Sequence, residues 1–207
     1  MKLRGLYAIT PDLADSEELL RRAHAAMQGG VRILQYRSKT APAGQRRAEA
    51  IELARLARKH AACLIVNDDL ELALDAGADG VHLGREDGAL AAARARLHGK
   101  LLGASCYDSI AAARAAVTAG ADYVAFGSVF ASPTKPAAVR APLALFAAAR
   151  SLGVPLVAIG GITLENAPQV LRAGADCVAV ISDLFDAPDV AERARAYGRL
   201  LRHEITQ

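Results

Sequence analysis

The feature that most constrains this chain is an alternation repeated eight times along it. Short apolar, often β-branched runs take turns with alanine-rich amphipathic stretches, the pattern of successive strand–helix units that feed a parallel sheet. The runs predict strands over residues 3–9, 31–37, 63–66, 80–83, 101–105, 123–126, 156–159 and 177–181. The stretches between them predict helices over 16–28, 44–59, 70–75, 87–97, 108–118, 142–151, 164–172 and 188–201. Eight units in 207 residues leave little chain to spare, and the fold they imply is a minimal α/β TIM (β/α)8 barrel, whose closed sheet has no edge strands. A doubly wound dinucleotide fold fits poorly, because the first strand runs into Ala8-Ile9-Thr10-Pro11-Asp12 where a Gly-x-Gly-x-x-Gly turn would be needed.

A cryptic repeat supports the segmentation. Ala-Gly-Ala-Asp occurs at residues 76–79, 119–122 and 173–176, each time between a helix and a strand. A glycine there closes the helix in a left-handed turn, and turns that lead into strands lie on the face of a barrel that serves stability rather than chemistry. No proline- or serine-rich linker divides the chain, so residues 1–207 read as one catalytic barrel domain.

Composition removes whole classes of function. With 53% hydrophobic and 23% charged residues the chain is neither disordered nor fibrous. A net charge of +3 without blocks of like charge offers no nucleic-acid or anionic-membrane face, and no Trp with five Tyr and four Phe scattered among apolar runs offers no platform for stacked bases. No leader of signal-peptide type precedes the first strand and no run is long enough to span a bilayer. The cysteines, Cys63, Cys106 and Cys177, are odd in number and widely spaced, which argues against a disulfide framework or a structural zinc site. The expectation is a reduced, cytoplasmic protein acting on small molecules, with no nucleic-acid and no membrane partner; its oligomeric state, homo-oligomer included, stays open.

In a barrel the chemistry gathers where the strands end. The second strand ends Leu34-Gln35-Tyr36-Arg37-Ser38-Lys39, and a period of two turns Gln35, Arg37 and Lys39 to one side and Leu34 and Tyr36 to the helices. Two cations at a barrel mouth repel and lose hydration unless a multivalent anion sits between them, which points to a phosphate or diphosphate. A strand running into solvent with salt-bridged ends is the plainer alternative. The third strand ends Asn67-Asp68-Asp69, and the loop after the fourth carries Asp87. Asp68 and Asp87 are oxygen donors suited to Mg2+ shared with a diphosphate; equally, Asp68 or Asp69 can cap the helix that follows the third strand and Asp87 the fourth helix. His82, flanked by apolar residues, reads as a hydrogen-bonded core histidine rather than a general base.

Ser105 closes the fifth strand and its hydroxyl can touch a substrate, but without an adjacent His or a Gly-x-Ser-x-Gly elbow it does not read as a nucleophile. Cys106 points to the opposite face and is not expected to be catalytic. The sixth strand leads into a glycine, proline and hydroxyl loop containing Ser132-Pro133-Thr134-Lys135, able to wrap an anion. The seventh ends Ile159-Gly160-Gly161-Ile162 and the eighth Val180-Ile181-Ser182-Asp183, the usual place of a barrel phosphate site and a second anion subsite here. Asp183 would oppose a phosphate, so it is expected to face a helix N-terminus, a basic side chain or solvent.

Taken together, these segments resemble the thiamine phosphate synthase family, also called thiamine-phosphate pyrophosphorylase. The likeness spans nearly the whole chain: Gly5-Leu6-Tyr7-Ala8-Ile9-Thr10, Gln35-Tyr36-Arg37-Ser38-Lys39, Asn67-Asp68, residues 80–87, Gly103-Ala104-Ser105, Ser132-Pro133-Thr134-Lys135, Ile159-Gly160-Gly161-Ile162 and Ile181-Ser182. The resemblance implies a transferase of thiamine biosynthesis that joins an aminopyrimidine diphosphate to a thiazole phosphate, or its carboxylated form. It implies that Gln35, Tyr36, Arg37, Ser38, Lys39, Asn67, Ser105 and Lys135 bind the pyrimidine diphosphate, with Arg37, Lys39, Ser105 and Lys135 closest to the chemistry. It implies further that Asp68 and Asp87 hold Mg2+, and that Ser132, Pro133, Thr134, Gly161, Ile181 and Ser182 receive the thiazole phosphate. Ser38 stands where many relatives carry an acidic residue, and Ala131-Ser132 where proline and threonine are frequent; both departures bear on loop rigidity and affinity more than on reaction type. A thiazole tautomerase needs no complete diphosphate and Mg2+ site, and a phosphate-ligand sensor predicts binding without turnover; the full set of leaving-group residues favours the synthase over both.

Overall fold

The computed structural model of the protein describes residues 3–131 and 140–205. Parallel strands β1 (Gly5–Ile9), β2 (Ile33–Tyr36), β3 (Cys63–Asn67), β4 (Gly80–Leu83), β5 (Leu101–Tyr107), β6 (Tyr123–Phe126), β7 (Leu156–Ile159) and β8 (Cys177–Val180) pair in sequence order. β8 then pairs with β1, Gly5 opposite Cys177, and the sheet closes into a TIM barrel. Helices α1 (Ser16–Gln28), α2 (Ala43–Lys59), α3 (Leu70–Asp75), α4 (Leu90–Arg96), α5 (Ile110–Thr118), α6 (Ala144–Ala149), α7 (Ala167–Arg172), α8 (Ser182–Phe185) and α9 (Val190–Ile205) follow the strands. No helix among the described residues is long and apolar enough to cross a membrane.

The period of two sorts the core into two layers. Leu3, Tyr7, Ile9, Ile33, Cys63, Ile65, Tyr123, Val157 and Cys177 fill the barrel interior. Their neighbours Leu6, Ala8, Leu34, Leu64, Val66, Val81 and Leu102 point outward and pack beneath the helices, many of which present alanine so that they can approach closely. The cysteines are divided between the layers, and all three are buried and free.

The Ala-Gly-Ala-Asp turns share one device. Asp79 accepts the Leu64 N–H at 2.8 Å, Asp122 that of Leu102 at 2.7 Å and Asp176 that of Leu156 at 2.9 Å. In return, each aspartate's own N–H donates to the carbonyl of the same leucine at 2.8 Å. The carboxylates thus clamp β3 to β4, β5 to β6 and β7 to β8 at the end of the barrel where strands begin. Arg32 occupies the matching place before β2, and its guanidinium instead holds the Val31 carbonyl at 3.1 Å.

Boundaries shift where side chains have other partners. The fourth helix begins at Leu90 rather than 87, because Asp87 folds back to accept the Gly84 N–H at 2.7 Å. β5 runs on to Tyr107 through an irregularity against β6 between Ser105 and Tyr107. The sixth helix ends in a 3-10 turn over Arg150–Leu152, and α8 is an additional single turn directly after β8.

Candidate active site

The segment after β2 is held from beneath by β1. The Thr10 hydroxyl, wholly buried, donates to the Arg37 carbonyl at 3.1 Å and accepts the Arg37 N–H at 2.9 Å. Asp12 accepts the Lys39 N–H at 3.1 Å and the Thr40 hydroxyl at 3.0 Å, and lies 3.7 Å from the Arg37 guanidinium. Neither Thr10 nor Asp12 is a sequence-level site candidate. The only signal for them is a polar Thr-Pro-Asp stretch where β1 ends, and its use becomes visible only when β1 and β2 lie side by side.

Lys39 reaches the other way, 2.5 Å from Asp68. Both cations are therefore paired within the chain, and their repulsion alone no longer demands an anion. Gln35 faces the interior as expected, almost fully buried, with its amide nitrogen 3.0 Å from the Tyr7 hydroxyl. Tyr36 is corrected. Its side chain leaves the mouth, is buried under α2 and donates its hydroxyl to Glu49 at 2.5 Å. Burial and then the Glu49 charge push its phenol well above the usual range. Ser38 lines a recess at the mouth, and its buried hydroxyl lies beside the Tyr36 phenol.

That recess, of about 320 Å³, is lined by Ser38, Lys39, Arg46, Asn67, Asp68 and Asp87, among others. The hydrogen bonds around it show which aspartate caps a helix. Asp69, not Asp68, caps α3 by accepting the Leu72 N–H at 2.9 Å, and no side chain caps α4. Asp68 sits in the left-handed region at φ 65° and turns its carboxylate toward Asp87 and Lys39. Partial burial pushes the Asp68 carboxyl up, but the hydrogen bonds from Lys39 and Asp87 outweigh it and leave it below the ordinary range. Burial, and then Asp68, raise the Asp87 carboxyl above that range. Among the described residues no cluster of three or more His, Cys, Asp or Glu side chains gathers for a metal. Two facing carboxylates are nonetheless a fitting donor set for Mg2+, which takes one or two carboxylates and completes its shell with water and phosphate oxygens.

Ser105 stands at the bulged end of β5, half-buried and facing the interior, and bulges commonly re-aim a side chain at a site. No histidine neighbours Ser105 in the sequence, but one lies beside it in space: His82 Nε2 is 2.9 Å from Ser105 Oγ. No carboxylate backs the ring. Its Nδ1 meets the Tyr123 hydroxyl at 3.1 Å, and burial drives the imidazole down to about 4, as befits the core histidine expected. Cys106 points into the helix layer, and burial pushes its thiol up to about 12, the opposite of an activated nucleophile.

On the far side of the mouth, the segment after β6 folds onto the end of β7, with the Phe130 N–H on the Gly160 carbonyl at 3.0 Å. A side chain at Gly161 would collide with the Ala131 carbonyl, so this glycine serves the contact between two mouth loops as well as any ligand. Ile181 and the exposed Ser182 open α8. Asp183 faces away as expected, accepting the Tyr197 hydroxyl at 2.6 Å and lying 3.5 Å from Arg193. Ser132, Pro133, Thr134 and Lys135 lie outside the described residues.

A family model described as thiamine monophosphate synthase matches residues 6–184. A thiamine-phosphate synthase of Chromobacterium violaceum is 59% identical over 196 residues, covering 94% of this chain and 95% of its own. One of Aromatoleum aromaticum is 57% identical over 201 residues, covering 96% and 97%. Among solved structures, a thiamine phosphate pyrophosphorylase from Pyrococcus furiosus superposes with a TM-score of 0.86 at 34% identity, over 97% of this chain and 96% of that one. A 3-hexulose-6-phosphate synthase, at 22% identity and a TM-score of 0.70, shares the fold. The chain belongs to the thiamine monophosphate synthase family and is a transferase.

Proposed function

We propose that the protein joins 4-amino-2-methyl-5-hydroxymethylpyrimidine diphosphate to 4-methyl-5-(2-hydroxyethyl)thiazole phosphate, giving thiamine phosphate and diphosphate. The observation that carries this reading is the convergence of Arg37, Lys39, Asn67 and the Asp68–Asp87 pair at one end of the barrel, in a chain whose relatives bear the synthase name. Arg37 and Lys39 bind the diphosphate and stabilise the negative charge it gains as the carbon–oxygen bond breaks, a task for preorganised donors rather than for a covalent catalyst. The electron-rich pyrimidine carries the methylene cation left behind, and the thiazole nitrogen attacks it. Asp68 and Asp87 are the side chains that would hold Mg2+, which when bound supplies further neutralisation of diphosphate charge. Releasing Asp68 for that role frees Lys39 for the diphosphate.

Gln35, Asn67 and Ser105 orient the pyrimidine, and Lys135 joins the diphosphate side by the family likeness. Gly161, Ile181 and Ser182, with Ser132 and Thr134, take the thiazole phosphate. The pairing of His82, the buried histidine beside Ser105, with a phenol agrees with a reaction that needs no protein base. Incubating the purified chain with both substrates and Mg2+ tests the reading. Thiamine phosphate and diphosphate should appear in equal amounts and vanish with a chelator; binding of both substrates without product would reject it.

A further inference from the structure

Five polar side chains run across the barrel interior in one hydrogen-bonded line. The Gln35 amide nitrogen lies 3.0 Å from the Tyr7 hydroxyl, and Tyr7 lies 2.8 Å from the Tyr123 hydroxyl. Tyr123 meets His82 Nδ1 at 3.1 Å, and His82 Nε2 meets Ser105 Oγ at 2.9 Å. The first four residues are buried, and only Ser105 opens to the mouth.

The strand register builds this line on purpose-shaped ground. His82, Gly103 and Tyr123 stand opposite one another on β4, β5 and β6. A Cβ on Gly103 would strike both the Tyr123 ring and His82 Nδ1, so the missing side chain is what lets the phenol and the imidazole meet.

The direction of the line follows from proton counting. An amide nitrogen can only donate, so the Tyr7 oxygen accepts from Gln35 and its single proton goes to Tyr123. Tyr123 in turn gives its proton to His82 Nδ1, which must then be bare, and the imidazole carries its hydrogen on Nε2. That hydrogen points at Ser105 Oγ, whose own proton is left for the mouth. We infer that Tyr7, Tyr123 and His82 are positioning residues that, led by the Gln35 amide, hold His82 as its Nε2–H tautomer and make Ser105 a hydrogen-bond donor to the bound ligand.

Two consequences follow. Ser105 meets an N–H where a general base would offer a lone pair, so the Ser105–His82 contact is not a nucleophile–base pair. The acceptor that receives the Ser105 proton is, resting on the proposed function, an atom of the pyrimidine substrate; the tautomer itself does not depend on that function. If the Gln35 carbonyl oxygen faced Tyr7, every bond in the line would reverse and Ser105 would become an acceptor.

Long-range proton–nitrogen NMR on the full chain labelled with 15N-histidine, at pH 7, separates the two directions. His82, assigned by its loss in His82→Gln, should show a protonated Nε2 and a bare Nδ1; a protonated Nδ1 overturns the inference. Tyr123→Phe removes the donor to Nδ1, so both tautomers should appear. In that variant kcat/KM for the pyrimidine diphosphate should fall about three- to tenfold, the worth of one ordinary hydrogen bond. A Tyr123→Phe protein that merely unfolds more easily, with Nε2–H unchanged and kcat/KM intact, also overturns it, and if that variant fails to fold the wild-type spectrum still decides. A clear Nε2–H signal in a chain that makes no thiamine phosphate would support the tautomer and reject the proposed function.

Discussion

Asp68 combines a left-handed backbone with a carboxylate drawn to both Lys39 and Asp87. A non-glycine residue in that conformation carries a cost that persists only where surroundings impose it, and such positions cluster at functional sites. Asp68→Asn and Asp87→Asn should each raise the Mg2+ concentration needed for half-maximal coupling by about tenfold or more, since even outer-shell partners of a metal are worth that much. Titrating activity against Mg2+ checks this, and an unchanged metal dependence in both variants would reject them as ligands. The two anion subsites should separate kinetically: Lys135→Ala should lower kcat, whereas Ser182→Ala should chiefly raise KM for the thiazole phosphate, whose charge hardly changes during chemistry. Single-turnover rates at saturation distinguish the two, and a Lys135→Ala enzyme impaired only in thiazole phosphate binding would contradict the assignment. The alternation of Gln35 and Tyr36 between interior and helix layer is legible in the sequence because it depends on a period of two within one strand. Thr10 and Asp12 against Arg37 and Lys39, or His82 against Ser105, are not, because each contact spans more than twenty residues and exists only once neighbouring strands fall into register.

Among the elements, the aspartates of the Ala-Gly-Ala-Asp turns belong to stability alone. Asp122 satisfies the Leu102 N–H and also pairs with Arg94 at 2.8 Å, on the face of the barrel opposite the recess. Asp122→Ala leaves that N–H without its partner and should cost about 1–3 kcal/mol of folding free energy, measured as a lower urea midpoint, with both KM values unchanged. A shift in KM would mean that the two faces of the barrel are coupled. The strands and their order are readable from the sequence because each apolar run is short and bounded by turn residues, with three of the turns marked by the repeat. What is not readable is where side chains compete with helix ends: Asp87 prefers Gly84 to capping α4, and α8 is a single turn too short to show a periodicity of its own.

For the molecule as a whole, the interior hydrogen-bonded line predicts a pH dependence. His82 is lowered from the ordinary 6.5 to about 4 by burial, so between these values the unfolded chain binds a proton that the folded one refuses. Stability therefore falls as the pH drops through this window, by up to about 3 kcal/mol from this residue, and is unaffected by it above pH 7. Urea unfolding of wild type and His82→Gln from pH 7.5 to 4.5 should show the wild type losing ground to the variant as acid is added; parallel curves would show that His82 takes up its proton in the folded state. The closed sheet has a further consequence, in the order in which a ribosome delivers the chain. One edge of β1 finds β2 early, but the other is covered only by β8, roughly 170 residues later. At synthesis rates of about 5–20 residues per second that interval is on the order of ten to thirty seconds, during which an apolar strand edge stands open to other chains. The nascent enzyme is therefore most prone to aggregate at its oldest end, until its newest strand arrives to cover it.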